Sequence, residues 1–135
     1  MDLTLEDAKK IIAAAREKAI EINTKMDIAV VDGGGNLVAF ERMDGAWIGS
    51  IDIAINKAYT ARAFDMSTQD LKKICQPDGI CFGIHNTNDN RIVIFDGGIP
   101  LTKDGKIVGA IGVSGGYADT EDHPVAEAGV AVFNS

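Results

Sequence analysis

The sequence predicts an α/β chain of the α+β kind, with a mainly antiparallel five-stranded sheet and helices packed against it. Three observations lead there. Asp32-Gly33-Gly34-Gly35-Asn36 and Asp104-Gly105 each stand between short apolar runs and read as hairpin turns. Stretches near the start, middle and end carry apolar residues at steps of three and four, the spacing of a helix face. The 135 residues show no internal repeat and no linker, so 1–135 reads as one domain.

The first helix begins after Thr4, whose hydroxyl can accept from the Asp7 amide while the Asp7 carboxylate reaches back, as in a capping box. Leu5, Ala8, Ile12, Ala15, Ala19 and Ile22 form its apolar stripe, and it ends near Asn23. Residues 26–31 are a strand and 37–42 its return. A second helix spans 47–64. Its apolar residues include Ile48, Ile51, Ile53, Ala54, Ile55, Ala58, Ala61 and Ala63. A helix apolar around so much of its girth needs cover on more than one side, and a second subunit would supply it. Ser67 caps a short third helix. Residues 76–90 are a loop. Residues 91–95, 99–103 and 106–113 are strands, and a last helix runs from about 120 to 133, with Pro124 in its first turn. The predicted order is α-β-β-α-α-β-β-β-α.

Twenty acidic against 13 basic side chains give a net charge of −7, which repels a phosphate backbone and argues against nucleic acid as a partner. No apolar run is long enough to span a membrane, and residues 1–20 lack the pattern of a secretory signal. The expected compartment is the cytoplasm, with Cys75 and Cys81 as reduced thiols.

Several segments then form an ordered set: Asn56-Lys57-Ala58-Tyr59-Thr60-Ala61, Ser67-Thr68 with Leu71, Gly97-Gly98-Ile99-Pro100, residues 104–116 ending in Ser114-Gly115-Gly116, and Asp122 with Ala126. This set resembles the GlcG/HbpS family, which includes the C-terminal domain of PduO-type proteins, over nearly the whole chain. The resemblance implies a profilin-like fold and homo-oligomers from dimer to octamer. It implies haem or a related tetrapyrrole as ligand in some members, near glycolate, propanediol or glycerol metabolism. It supplies no family-wide iron ligand. The ATP- and cobalamin-binding adenosyltransferase domain of PduO proteins has no counterpart here.

Candidate sites follow from chemistry. His85, in the 76–90 loop, has an imidazole that can ligate haem iron, and the competing reading is a polar loop residue. His123, in Glu121-Asp122-His123-Pro124, can join carboxylates at a metal, or simply sit at the surface near a helix start. Cys75, Cys81 and His85 have neither the spacing nor the ligand number of a zinc site. The 32–36 turn lacks the Lys-Ser or Lys-Thr of a phosphate loop. Ser114-Gly115-Gly116 joins a strand to a helix, where free amides bind anions, and Lys57 and Arg62 can add charge if they face that gap. Otherwise the glycines serve tight packing and Lys57 a structural ion pair.

Three functions fit. The first is an oligomeric accessory protein holding a tetrapyrrole or small carboxylate ligand in a groove between subunits, with ligand carboxylates on Lys57 or the 114–116 amides and iron on His85, His123 or sulfur. The second is an enzyme that degrades haem or acts on a small hydroxy acid or corrinoid. The third is a structural component of a metabolic assembly that binds no ligand.

Overall fold

A computed structural model describes residues 2–134. Helix α1 (Leu5–Glu21) is followed by strands β1 (Asp27–Asp32) and β2 (Leu37–Arg42). Helices α2 (Gly49–Phe64) and α3 (Thr68–Ile74) come next, then two short 3₁₀ turns. Strands β3 (Gly98–Lys103) and β4 (Lys106–Ser114) lead through a π-helical turn at Ala118–Asp122 into α4 (His123–Phe133). The sheet order is β2-β1-β4-β3 and every neighbouring pair is antiparallel.

Both hairpins and the capping box form where the residues require them. Thr4 Oγ1 accepts from the Asp7 amide, and the Asp7 carboxylate accepts from the Thr4 amide, each at 3.0 Å. Asp32 Oδ1 accepts from the amides of Gly34 and Asn36, closing the first turn with an acidic side chain.

The sheet is covered on both faces. On one, Ile28, Val30, Ile111 and Val113 pack with Ile11, Ile12, Ala15 and Val125 of α1 and α4. On the other, Ala29, Val31 and Ala110 meet Ala54, Ala58 and Ala61 of α2. Small residues on both sides let α2 lie close to the strands. A Cβ at Gly112 would overlap the Ala54 carbonyl oxygen, and one at Gly98 the Lys57 carbonyl oxygen.

The sheet has four strands, not five. Residues 91–95 alternate like a strand, but the Thr60 hydroxyl of α2 takes up their backbone: it accepts from the Val93 amide at 3.0 Å and lies 3.3 Å from the Arg91 carbonyl oxygen. Ile92 then packs with Leu71 and Cys75 in a satellite cluster. The order is therefore α-β-β-α-α-β-β-α. Helix α2 also starts two residues later than its apolar pattern suggests, leaving Trp47 and Ile48 68% and 74% exposed. Among the described residues no helix is long and apolar enough to cross a membrane.

The close approach of α2 makes one substitution diagnostic. Gly112→Ala is expected to destabilise the fold by about 3 kcal/mol or more, because the overlap is with helix backbone that cannot rotate away. Thermal unfolding followed by circular dichroism measures it, and an unchanged midpoint would mean that α2 can move outward at no cost.

Candidate functional site

The C-terminal end of β4 lies beside the start of α2 and the entrance to α4. Around it an open cleft of about 550 Å³ is lined by Asn23, Thr24, Lys25, Gly45, Ala46, Trp47, Gly115, Gly116 and Glu121. Trp47 puts a large exposed ring at its lip, and the Lys25 side chain runs past Gly45, its Cδ 3.1 Å from where a Cβ would stand there.

Beneath this cleft is a buried ionic cluster. Lys57 is the largest fully buried side chain among the described residues. Its Nζ donates to the Val113 carbonyl at 2.8 Å and to Asp122 Oδ2 at 2.9 Å, and it lies 4.9 Å from the centre of the Phe95 ring. Asp122 is equally enclosed, and its Oδ1 accepts from the Gly116 amide at 2.8 Å. Glu121 points elsewhere and accepts from the Tyr117 amide at 2.8 Å. Burial pulls the Lys57 ammonium below its ordinary pKa and pushes the Asp122 carboxyl above its own, and their mutual attraction opposes both shifts.

The sequence offered Lys57 and the 114–116 segment either as an anion site or as tight packing with a structural ion pair at Lys57, and the fold brings the two together. The anion between them is the protein's own Asp122, which occupies both the ammonium and the Gly116 amide. Ser114 turns to α2 instead, its hydroxyl 3.1 Å from that of Ser50. Arg62 does not reach this group: its Nε donates to the Gly33 carbonyl at 2.7 Å and its guanidinium pairs with Asp65.

His85 lies in a 3₁₀ turn, its ring edge-on to Phe82 at 5.7 Å. His123 opens α4, with Nε2 3.7 Å from a Glu127 carboxylate oxygen. The Nδ1 atoms of both are buried without a hydrogen-bond partner. Among the described residues, no three His, Cys, Asp or Glu side chains are grouped to hold a metal ion.

Two acids escaped the sequence reading. Asp96 is buried against Lys72 and Gln69; burial raises its pKa, but those two partners more than offset the effect and hold it low. Asp27 is wholly buried at the start of β1, opposite Arg42 on one side and Ser114 on the other, and neither carboxyl oxygen has a partner. Burial raises its pKa, against the attraction of Arg42. An acid within an apolar strand was the available signal.

With this geometry in place, the chain can be set beside known proteins. Residues 3–131 match the family model described as haem degrading protein HbpS-like. The chain belongs to the HbpS-like family. An uncharacterised 15.0 kDa protein from the dhaT-dhaS intergenic region of Citrobacter freundii is 43% identical over 132 residues, covering 98% of this chain and 92% of its own. The corrinoid adenosyltransferase PduO of Salmonella typhimurium is 30% identical over 98% of this chain, which spans only 39% of that protein. Among solved structures, Klebsiella pneumoniae ORFY superposes with a TM-score of 0.95 at 38% identity, covering 98% of this chain and 91% of that one. The PduOC:haem complex superposes with a TM-score of 0.92 at 30% identity, covering 97% and 94%.

Two stability measurements test the buried groups. Lys57→Met is expected to cost about 3–5 kcal/mol, since it strands the Asp122 carboxylate. The Lys57→Met/Asp122→Asn double variant should lose less than the sum of the two singles. Additivity to within about 0.5 kcal/mol would show that the pair is not coupled.

Asp27 has a folded pKa above its unfolded one, so it erodes stability as pH rises from about 4 through its folded value. Asp27→Asn should therefore raise stability at pH 8 by about 1–2 kcal/mol relative to wild type, with the difference shrinking toward zero near pH 3. Denaturant unfolding at the two pH values measures this, and a gain independent of pH would remove ionisation as its cause.

Proposed function

We propose that this chain is an oligomeric, cytoplasmic accessory protein that binds haem or a related tetrapyrrole in the cleft beside Trp47, completed by a neighbouring copy, in a corrinoid-related setting. The observation that carries this reading is the likeness to the PduOC:haem complex over almost the full length of both chains. The cleft itself supports a flat, amphipathic, carboxylate-bearing ligand. Trp47 offers a ring to stack on, Lys25 a cation, and Gly115 and Gly116 a wall without side chains.

The fit to haem is good for the macrocycle and its carboxylates and incomplete for iron. Among the described residues, no imidazole, thiol or thioether lines the cleft. His123 adjoins Asp122, whose carboxylate holds the cleft residue Gly116, and its Nδ1 is unpartnered, so it is the better candidate within the chain; His85 is the other. Bound haem would supply an iron centre. The chain's own residues orient the ring, hold its acid groups and keep one face from water. Lys57 acts one layer down, fixing the wall through Asp122. The exposed Ile48 and the partly exposed Ile51, Ile53 and Ile55 of α2 suit a subunit contact.

A second reading, breakdown of haem, is favoured by the description of the matched family.

Titration with haemin followed at the Soret band is the test. A saturable, shifted band is expected, and Lys25→Ala/Trp47→Ala should weaken binding about tenfold, which corresponds to 1.4 kcal/mol. His123→Ala should alter the band position more than His85→Ala. A band that only rises linearly, as for free haemin, would sink the proposal, and bleaching with release of iron would favour the second reading. Sedimentation reporting a stable monomer at micromolar concentration would remove the neighbouring copy.

A further inference from the structure

We infer that Cys75 and Cys81 form a reversible intrachain disulfide when the protein meets a peroxide, making the turn between them a redox-modification site independent of the ligand reading. The argument starts from the backbone. The Cys81 amide donates to the Ile74 carbonyl at 2.8 Å. That oxygen and the Cys75 Cα share one peptide plane, so standard bond lengths place the two cysteine Cα atoms within about 7 Å of each other. Disulfides bridge Cα separations up to about that limit.

The turn that makes this approach is tight. Gly79 donates to the Gln76 carbonyl at 2.7 Å, and a Cβ at Gly79 would overlap the Ile74 carbonyl oxygen. Both side chains face one place: Cys75 belongs to the buried cluster with Leu71 and Ile92, and Cys81 packs against that cluster. Both are free thiols. Burial, and then the charge of Cys81, raise the pKa of Cys75.

Their unequal burial assigns the roles. Cys75 is fully buried and Cys81 is partly exposed, so Cys81 meets the oxidant first. The Cys81 thiolate attacks one oxygen of hydrogen peroxide, the O–O bond breaks, and the departing hydroxide takes a proton to become water. The sulfur is left as sulfenic acid. The Cys75 thiol then releases its proton, its sulfur attacks the Cys81 sulfur, and the S–O bond breaks. The second hydroxide leaves with that proton as water. Two thiols and one hydrogen peroxide give one disulfide and two waters, and an external dithiol returns two electrons and two protons to reset the pair. Closure would staple the end of α3 to the segment carrying Phe82 and His85.

The test treats the full chain with a few equivalents of hydrogen peroxide and maps it by mass spectrometry. Trypsin releases residues 74–91 as one peptide holding both cysteines. That peptide should lose two hydrogen atoms and regain them with dithiothreitol. Cys75→Ser should leave a Cys81 sulfenic acid that dimedone traps, and in Cys81→Ser the remaining Cys75 should alkylate about tenfold slower than Cys81 does in Cys75→Ser. The wild-type measurement decides the matter even if a variant misfolds. Cys81 sulfinic acid beside a free Cys75 thiol, a disulfide between chains, or two unmodified thiols would each overturn the inference.

Discussion

A lysine ammonium without access to water must find its partners inside the fold, and the arrangement around Lys57 follows from that demand. Its Nζ is answered by the Val113 carbonyl and the Asp122 carboxylate, and Asp122 also takes the Gly116 amide. One ion pair thereby ties α2 to the last residues of β4 and to the entrance of α4. Taking two charges from water is costly, and the surrounding hydrogen bonds offset that cost only while every partner is present. The wall of the cleft is consequently fixed by contacts that lie outside the cleft.

Much of this was legible in the sequence where the determinant is local. The Thr4–Asp7 cap, the Ser67 cap and the Asp32 turn each need only residues a few positions apart, and each forms as the spacing requires. Residues 91–95 misled because Ile92 and Ile94 alternate as a strand does, whereas the Thr60 hydroxyl, distant in sequence, captures their backbone. The meeting of Lys57 with the 114–116 segment was legible from the glycine-rich strand end. The identity of the anion was not: Asp122 and Glu121 look equivalent in sequence, and only the π-helical turn sends one inward and the other to the Tyr117 amide. Asp27 stood out only as an acid within an apolar strand, and its isolation, which results from strands on both sides, was not legible.

Family membership and geometry bear on function in different ways. The HbpS-like match and the likeness to a haem complex point to a ligand class. Lys57 itself is engaged by Val113 and Asp122, so the proposed contacts for such a ligand are Lys25 and Trp47 at the cleft. The geometry also divides labour between the two ends of α2. The N-terminal end borders the cleft, while Tyr59, further along, meets the loop that carries His85, where Asn88, Asp89 and Asn90 all have φ between 52° and 59° and the Tyr59 hydroxyl bonds to Asn88.

Trp47 is the chain's one tryptophan, and it stands at the lip of the cleft rather than in the core. Emission excited at the red edge of the indole band therefore originates at a single known place. Its colour and its accessibility to a dissolved quencher describe the wetness of that lip alone. The protein carries a built-in optical reporter of whatever covers its cleft, whether a pigment or another copy of itself.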